Sequence, residues 1–313
     1  MTRPENAPAP RRVRFGMAAT DVATLPETAR SIEDLGYDYL AVGEHLFFHV
    51  PTPNALTALS AAAVLTSRIE LLSGVLQLPL YPAPLLAKMG AVIDVLSNGR
   101  FNLGVGVAGE EPREFEACGI PVNSRGARSD DALDVVTRLW TQKSVSREGP
   151  YGTLRDVTLD PAPVRRPHPP IWVSGRKTPA IRRAARFAQW WMPYMYTPER
   201  FAASLTDLRS LSTAAGRGPD AVRPALFAFV SCHADRDRAV DQAVRRLSAQ
   251  YDQDFSRLTE KYVLAGNPDD CAAKISRFVE AGAETVILVP VGEERDFADM
   301  RALLSAEVLP AFA

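Results

Sequence analysis

Phe101-Asn102-Leu103-Gly104-Val105-Gly106-Val107-Ala108-Gly109-Glu110-Glu111-Pro112 is the stretch on which the fold turns. Its glycines fit G-x-G-x-x-G and follow a β-rich run. A dinucleotide-binding turn needs more than that: a helix directly after the glycines, then a parallel strand ending in an acid about 20 residues on. Here two glutamates and a proline intervene, a short helix follows, and Ile120-Pro121-Val122 leads into a long helix. Asp130 and Asp131 fall near the right distance but inside that helix. The stretch reads instead as a strand ending in residues without side-chain bulk, where a flat ring can approach the backbone.

Working outward, short β-branched or apolar runs alternate with helical patterns along the chain. Strands are predicted over 13–17, 39–42, 69–73, 101–107, 171–173, 190–192, 226–231 and 285–289. Helices are predicted from about 22 to Gly36, then over 56–65, 85–96, 125–140, 178–188, 201–215, 268–281 and 297–304. Asn267 as N-cap with Pro268 at the first helical position opens the seventh. Eight βα units with right-handed crossovers close most simply into a (β/α)8 TIM barrel, whose active site lies at the C-terminal ends of the strands. Two connections are long. Residues 144–170 contain Gly149-Pro150-Tyr151-Gly152 and predict a hairpin, and residues 232–266 predict extra helix. These are insertions after strands four and seven, expected to shape the active-site end. Residues 1–12, rich in Pro and Arg with no apolar core, predict a disordered tail rather than a secretory signal, leaving 13–313 as one domain.

Composition narrows the partners. Apolar residues at 46% and charged residues at 23% suit a water-soluble globular chain. A formal net charge of −1 gives no global field for nucleic acid or an anionic membrane. No apolar run reaches the length of a membrane span. Cys118, Cys232 and Cys271 are widely spaced and read as reduced thiols in a cytoplasmic protein.

Several segments carry candidate chemistry. His45 and His49 have the i,i+4 spacing of a zinc motif, but Leu46 stands where the glutamate must be, so no metal site is expected. His45 lies just past the second strand, either at the reacting centre or simply bonded to a neighbouring strand end. In Ile171-Trp172-Val173-Ser174-Gly175-Arg176-Lys177-Thr178-Pro179 a strand runs into small residues, two cations and a helix start, with Thr178 as cap. This pattern suits a phosphate, since N–H groups and the positive dipole end face it; it also fits a solvated basic turn. Gly74 interrupts a buried strand and marks a bulge or a close backbone approach. Phe47, Phe48, Trp191, Met192, Tyr194 and Tyr196 could wall an apolar substrate cavity, with Phe47, Trp191 and Tyr194 foremost.

Four ordered stretches carry a resemblance spanning about 13–311: Gly36-Tyr37-Asp38-Tyr39-Leu40-Ala41-Val42-Gly43-Glu44-His45; Leu85-Leu86-Ala87-Lys88 through Leu96-Ser97-Asn98-Gly99-Arg100-Phe101; Leu103-Gly104-Val105-Gly106-Val107; and Pro169-Pro170-Ile171-Trp172-Val173-Ser174-Gly175. Glu114-Phe115-Glu116 also fits. The chain resembles the luciferase-like monooxygenase superfamily, which includes deazaflavin (F420)-dependent oxidoreductases. The resemblance implies F420, alternatively FMN, at the C-terminal face of the barrel. It implies a non-prolyl cis peptide at Gly74–Val75 behind the cofactor ring, with Gly106 and Val107 along the ring's other edge. The phosphate falls at Ser174, Gly175, Arg176 and Lys177, and His45 near the reacting atoms. Two departures stand out. Leu80-Tyr81-Pro82 replaces the Arg-His-Pro of many relatives. Ala108 replaces a glycine, so the first acid, Glu110, falls one position late for a catalytic glutamate.

The leading expectation is F420-dependent hydride transfer involving a small, largely apolar substrate, with Arg165, Arg166, Arg182 and Arg183 as further cations for an acidic cofactor tail. The alternatives are an FMNH2-dependent monooxygenase supplied by a partner reductase, and a non-catalytic barrel binding a phosphorylated ligand. Homodimerisation through a helical face is the norm the resemblance implies.

Overall fold

Strand and helix alternate from Arg14 to Leu303 as the periodicity predicts, in a computed structural model that describes residues 12–313. The predicted tail lies outside the described residues apart from Arg12. The barrel strands are β1 (Arg14–Ala18), β2 (Tyr39–Val42), β3 (Glu70–Ser73), β4 (Phe101–Gly106), β5 (Ile171–Ser174), β6 (Trp190–Met192), β7 (Arg223–Cys232) and β8 (Thr285–Pro290). Each pairs in parallel with the next, and β8 pairs back onto β1, so the sheet has no free edge. The helices that follow the strands are α1 (Leu25–Asp34), α2 (Ala55–Leu65), α3 (Ala83–Leu96), α4 (Arg125–Thr141), α5 (Thr178–Phe187), α6 (Pro198–Ala214), α7 (Pro268–Glu280) and α8 (Phe297–Leu303). Asn267 caps α7 as predicted, and the structure adds a reciprocal bond to Asp270 that completes a capping box.

Alternation along the strands divides the apolar residues into two cores. One lies between strands and helices and holds Phe15, Leu40, Leu71, Leu103, Val173 and Leu226. The other fills the barrel. At its N-terminal end Trp172 and Trp190 stack at 4.5 Å, and Tyr39 packs edge-on against Trp172. Arg14 lies over Tyr39 and Arg223 over Trp190, each 4.2 Å from the ring centre. At the C-terminal end the inward positions of β1 to β5 are small, including Ala18, Ala41, Gly74, Gly106 and Ser174, while β6 and β7 contribute Met192 and Phe229. The barrel is therefore plugged below and open above.

The two insertions part company. Residues 144–170 form the predicted hairpin, Val145–Gly149 with Gly152–Val157. The segment follows a helix and leads into the start of β5, so its base lies at the N-terminal end. Arg165 there reaches Glu70 at the foot of β3, at 2.7 Å. The hairpin folds back along α4, where Arg147 pairs with Asp131 and Asp134. The expectation that it shapes the active-site end is corrected by this topology. The second insertion, with helices Arg236–Tyr251 and Ser256–Tyr262 and the short strand Leu264–Gly266, leaves the C-terminal end of β7 and does sit at the mouth.

Gly104 is the tightest point between β3 and β4. Ser73 Oγ donates to its carbonyl and accepts from its N–H, both at 2.8 Å. A Cβ on Gly104 would stand 2.0 Å from the Ser73 carbonyl oxygen. Gly104→Ala is therefore expected to destabilise the protein by about 3 kcal/mol through forced strand separation. Urea unfolding checks this, and an unchanged midpoint would show that the two strands move apart freely.

Candidate active site

Four strand ends meet at the open mouth. After β3 the Gly74–Val75 peptide is cis, at the position the resemblance implied. The chain then rejoins the sheet, with Leu76 and Gln77 beside Val105 and Gly106. Gly43 lies against this bulge, where an added Cβ would stand 3.1 Å from the Gly74 oxygen; at Gly106 it would stand 3.0 Å from Val75 Cγ2. Glycines on three adjacent strand ends leave a shallow cradle without side-chain bulk. Gly106, Val107 and Ser174 come together in a small pocket that Ser129 and Arg183 close from behind.

His45 enters the mouth from the end of β2, and its partner is a residue to which sequence reasoning gave no role. Glu114, in the short helix Pro112–Ala117, is 0% exposed. Its carboxylate accepts from His45 Nδ1 at 3.1 Å, the Leu46 and Phe47 N–H groups at 2.6 and 3.1 Å, and Gln77 Nε2 at 2.6 Å. Gln77 Nε2 also lies 3.1 Å from Nδ1; taking the Glu114 carboxylate, the stronger partner, as the one that Nδ1 serves assigns a ring N–H to Nδ1 and leaves Nε2 without a partner. Gln77 Oε1 is buried without a partner.

A second buried carboxylate braces the same loop. Glu44 accepts from Gln77 N–H, Tyr81 Oη, Asn54 Nδ2 and Ala55 N–H, at 2.9 to 3.2 Å. Burial raises its pKa, against the pull of those donors. Between these two anchor points the loop arches around a cavity of about 730 Å³ lined by His45 to Thr52 and Arg113. Phe47 opens onto it, 53% exposed. Arg113 grips Glu111 through two nitrogens and holds that carboxyl well below the usual range, at about 2.

Other expected residues fall elsewhere. Glu110 does not touch His45; its carboxylate accepts from Tyr194 Oη, across the mouth. Burial, then the Glu110 charge, pushes the Tyr194 phenol up, so it stays a donor. Trp191 is not in the cavity. It is fully buried outside the barrel, stacked on Phe201 at 5.4 Å, and it donates to the Gly175 carbonyl. Met192 and Tyr196 are also core. At the strand-five turn Lys177, not Thr178, stands at the cap of α5, and no side chain caps that helix. Arg176 lies 5.2 Å over the Tyr194 ring. Of the four further cations, Arg165 and Arg166 are at the opposite end of the barrel and Arg183 is buried against Asp130 at 2.6 Å. Of these four, Arg182 alone is free near the turn. These features fit a flat ring against glycine backbone, an N–H donor facing Gln77 Oε1, and a phosphate at an uncapped helix start.

A family model described as luciferase-like monooxygenase matches residues 6–285, and the chain belongs to that family. An F420-dependent glucose-6-phosphate dehydrogenase from Microbacterium testaceum is 26% identical over 95% of this chain and 97% of its own. A phthiodiolone/phenolphthiodiolone dimycocerosates ketoreductase from Mycobacterium tuberculosis is 31% identical over 52% of this chain. An FMNH(2)-dependent dimethylsulfone monooxygenase from Pseudomonas putida is 32% identical over 56%. The chain spans about half the length of the last two, 44% and 48%. Among solved structures, the monooxygenase RslO1 from Streptomyces bottropensis aligns with a TM-score of 0.84 at 25% identity, covering 96% of this chain and all of that one. An F420-dependent secondary alcohol dehydrogenase aligns at 0.85 over 96% and 99% of the two chains, at 19% identity, which speaks to the fold alone.

Glu114→Gln keeps the size but turns an NH2 toward groups that are all donors. It is expected to cost about 1–3 kcal/mol and to release the His45 tautomer. Nitrogen-15 NMR of the imidazole reads this directly: Nδ1–H alone in the parent, a mixture in the variant. Finding Nε2–H in the parent would contradict the assignment.

Proposed function

We propose that residues 13–313 act as one F420-dependent oxidoreductase unit, moving a hydride to or from a small, largely apolar substrate. The observation that carries this reading is His45, held by buried Glu114 with Nε2 bare beside the glycine cradle. Bound F420 supplies the two-electron hydride chemistry. Gly43, Gly74, Val75, Gly106 and Val107 support the ring, and Ser174, Gly175, Arg176 and Lys177 receive the phosphate. His45 Nε2 takes or gives the proton that accompanies the hydride. Preference for F420 draws support from the near full-length match to an F420-dependent dehydrogenase.

The second reading is an FMNH2-dependent monooxygenase served by a separate reductase. The similarity to the dimethylsulfone monooxygenase and to RslO1 favours it. A barrel that only binds a phosphorylated ligand is the remaining alternative. Its mark is turnover unchanged by His45→Ala and Lys177→Ala.

Fluorescence titration with F420 and with FMN separates the first two. F420 is expected to bind and FMN to bind much more weakly, and tight FMN binding with no F420 binding ends the leading reading. His45→Ala should lower turnover by about 10²-fold or more while changing F420 affinity only a few-fold.

The reading includes a cytoplasmic homodimer. Its support is the outer face of α2 and α3. No charged residue occurs in α2, yet Val64 is 68% exposed, and Leu85, Val92 and Leu96 on α3 are exposed beside it. An uncharged outer helix face that exposes large apolar side chains is normally covered. Val64→Asp is expected to convert dimer to monomer in sedimentation equilibrium; a parent protein that is already monomeric removes this part of the reading.

A further inference from the structure

A continuous run of aromatic rings drawn from three separate elements crosses the C-terminal end of the barrel, from Phe48 in the cavity to the bulge, with Tyr251 backed by Phe255 stacked on it at 5.4 Å. Phe48, on the loop after β2, stacks on His45 with centroids 4.1 Å apart and planes 14° apart. Its edge meets Tyr251 at 6.0 Å and 78°. Tyr251 is the last residue of the helix that the second insertion brings to the mouth, and Asp252, in the left-handed region, ends that helix. Tyr251 meets Phe229 at 6.3 Å and 70°, and Phe229 meets Phe227 at 6.0 Å and 83°. Phe227 faces the bulge, 3.8 Å from where a Gly74 Cβ would stand.

Each of the last three ring pairs is close to perpendicular, so faces and edges alternate along the wall. A flat ring entering such a wall finds an edge for its face and a face for its edge. An aliphatic chain gains nothing from that alternation beyond area. Phe48 covers one face of the imidazole, so a molecule using Nε2 must approach along the ring plane. Polar groups lie on either side of the rings: His45, His49 and Arg113 line the cavity beside Phe48, and Tyr194 donates to Glu110 under Arg176. Tyr251 also keeps its proton, since burial and then the Glu110 charge raise its pKa.

We propose that the substrate is a flat aromatic or polycyclic compound carrying a single carbonyl or hydroxyl group, and that Tyr251 and Phe48 select it. This assignment rests on the proposed oxidoreductase reading for the use of that oxygen, but not for the binding of the ring.

The test is calorimetric binding of 2-acetonaphthone against 2-dodecanone, a straight-chain methyl ketone of equal carbon count, to the cofactor-loaded protein and to the protein alone. The naphthyl ketone is expected to bind about tenfold tighter or more. Tyr251→Leu should remove about tenfold of that affinity and Tyr251→Phe should keep it, with the dissociation constant for F420 unchanged in both. Phe48→Leu, on the surface loop, serves the same purpose if Tyr251→Leu does not fold. Equal affinity for the two ketones overturns the proposal, as does full retention of naphthyl binding in Tyr251→Leu and Phe48→Leu. Cofactor binding weakened as much as ketone binding overturns it as well, because the rings would then serve the cofactor. If neither F420 nor FMN binds while the naphthyl preference persists and depends on Tyr251, the oxidoreductase reading falls and the aromatic site stands.

Discussion

A carboxylate taken wholly out of water is among the most costly groups to bury, and Glu114 is tolerable only because four donors converge on it. Those donors come from two other segments, the loop after β2 and the bulge extension after β3, while Glu114 itself follows β4. The three strand ends cannot shift relative to one another without exposing an unpaired charge to an apolar interior. Two of the donors are consecutive backbone N–H groups, so the loop must leave β2 in one conformation. His45 inherits its orientation from that constraint. Glu44 repeats the device at the far end of the loop, where it holds Asn54 and Ala55. The cavity exists because the chain between these two anchors has nowhere to collapse to.

The polarity of the barrel follows from which residues face inward at each level. Indole and phenol rings fill the N-terminal layer, and Arg14 and Arg223 cover them while pairing with Asp38 and Glu284. Nothing comparable fills the C-terminal layer. Small residues on β1 to β5 leave room there, and bulk is supplied by Phe227 and Phe229 on β7 and by Phe48 and Tyr251 from outside the sheet. The cavity lined by His45 to Thr52 and Arg113 lies at that end.

Much of this was legible in the sequence, for identifiable reasons. Element positions were readable because the strands are short continuous apolar runs, buried on both faces in a parallel barrel, and because Gly36, Asn98-Gly99 and Asn267-Pro268 punctuate the helices. The bulge at Gly74 was readable because a glycine in a buried run needs a reason. What failed was the direction of long-range reach. Arg165 and Arg166 are close in sequence to the strand-five turn, but they precede β5 and so lie at its other end. Trp191 alternates outward from the barrel between inward-facing Trp190 and Met192, a parity the short strand made easy to overlook. Gln77 left a fair signal, a lone amide between Leu76 and Leu78, which a buried run retains only to meet a polar partner.

The acids after β4 show how local geometry assigns roles that residue identity cannot. Glu110, Glu111, Glu114 and Glu116 crowd into seven residues. Ala108 and Gly109 both have positive φ, 53° and 104°, which swings the chain outward before the short helix begins. Glu110 is thereby sent across the mouth to Tyr194, and Glu111 accepts from the Arg113 N–H as the helix cap. Within the helix, the turn that buries Phe115 buries Glu114 beside it and leaves Arg113 and Glu116 facing water. The first acid after the glycines is the natural sequence candidate for catalysis, yet it is the third that meets the histidine. An alanine in the left-handed region costs on the order of 1 kcal/mol. Ala108 is placed there because the chain must turn at that point if Glu114 is to reach back to His45.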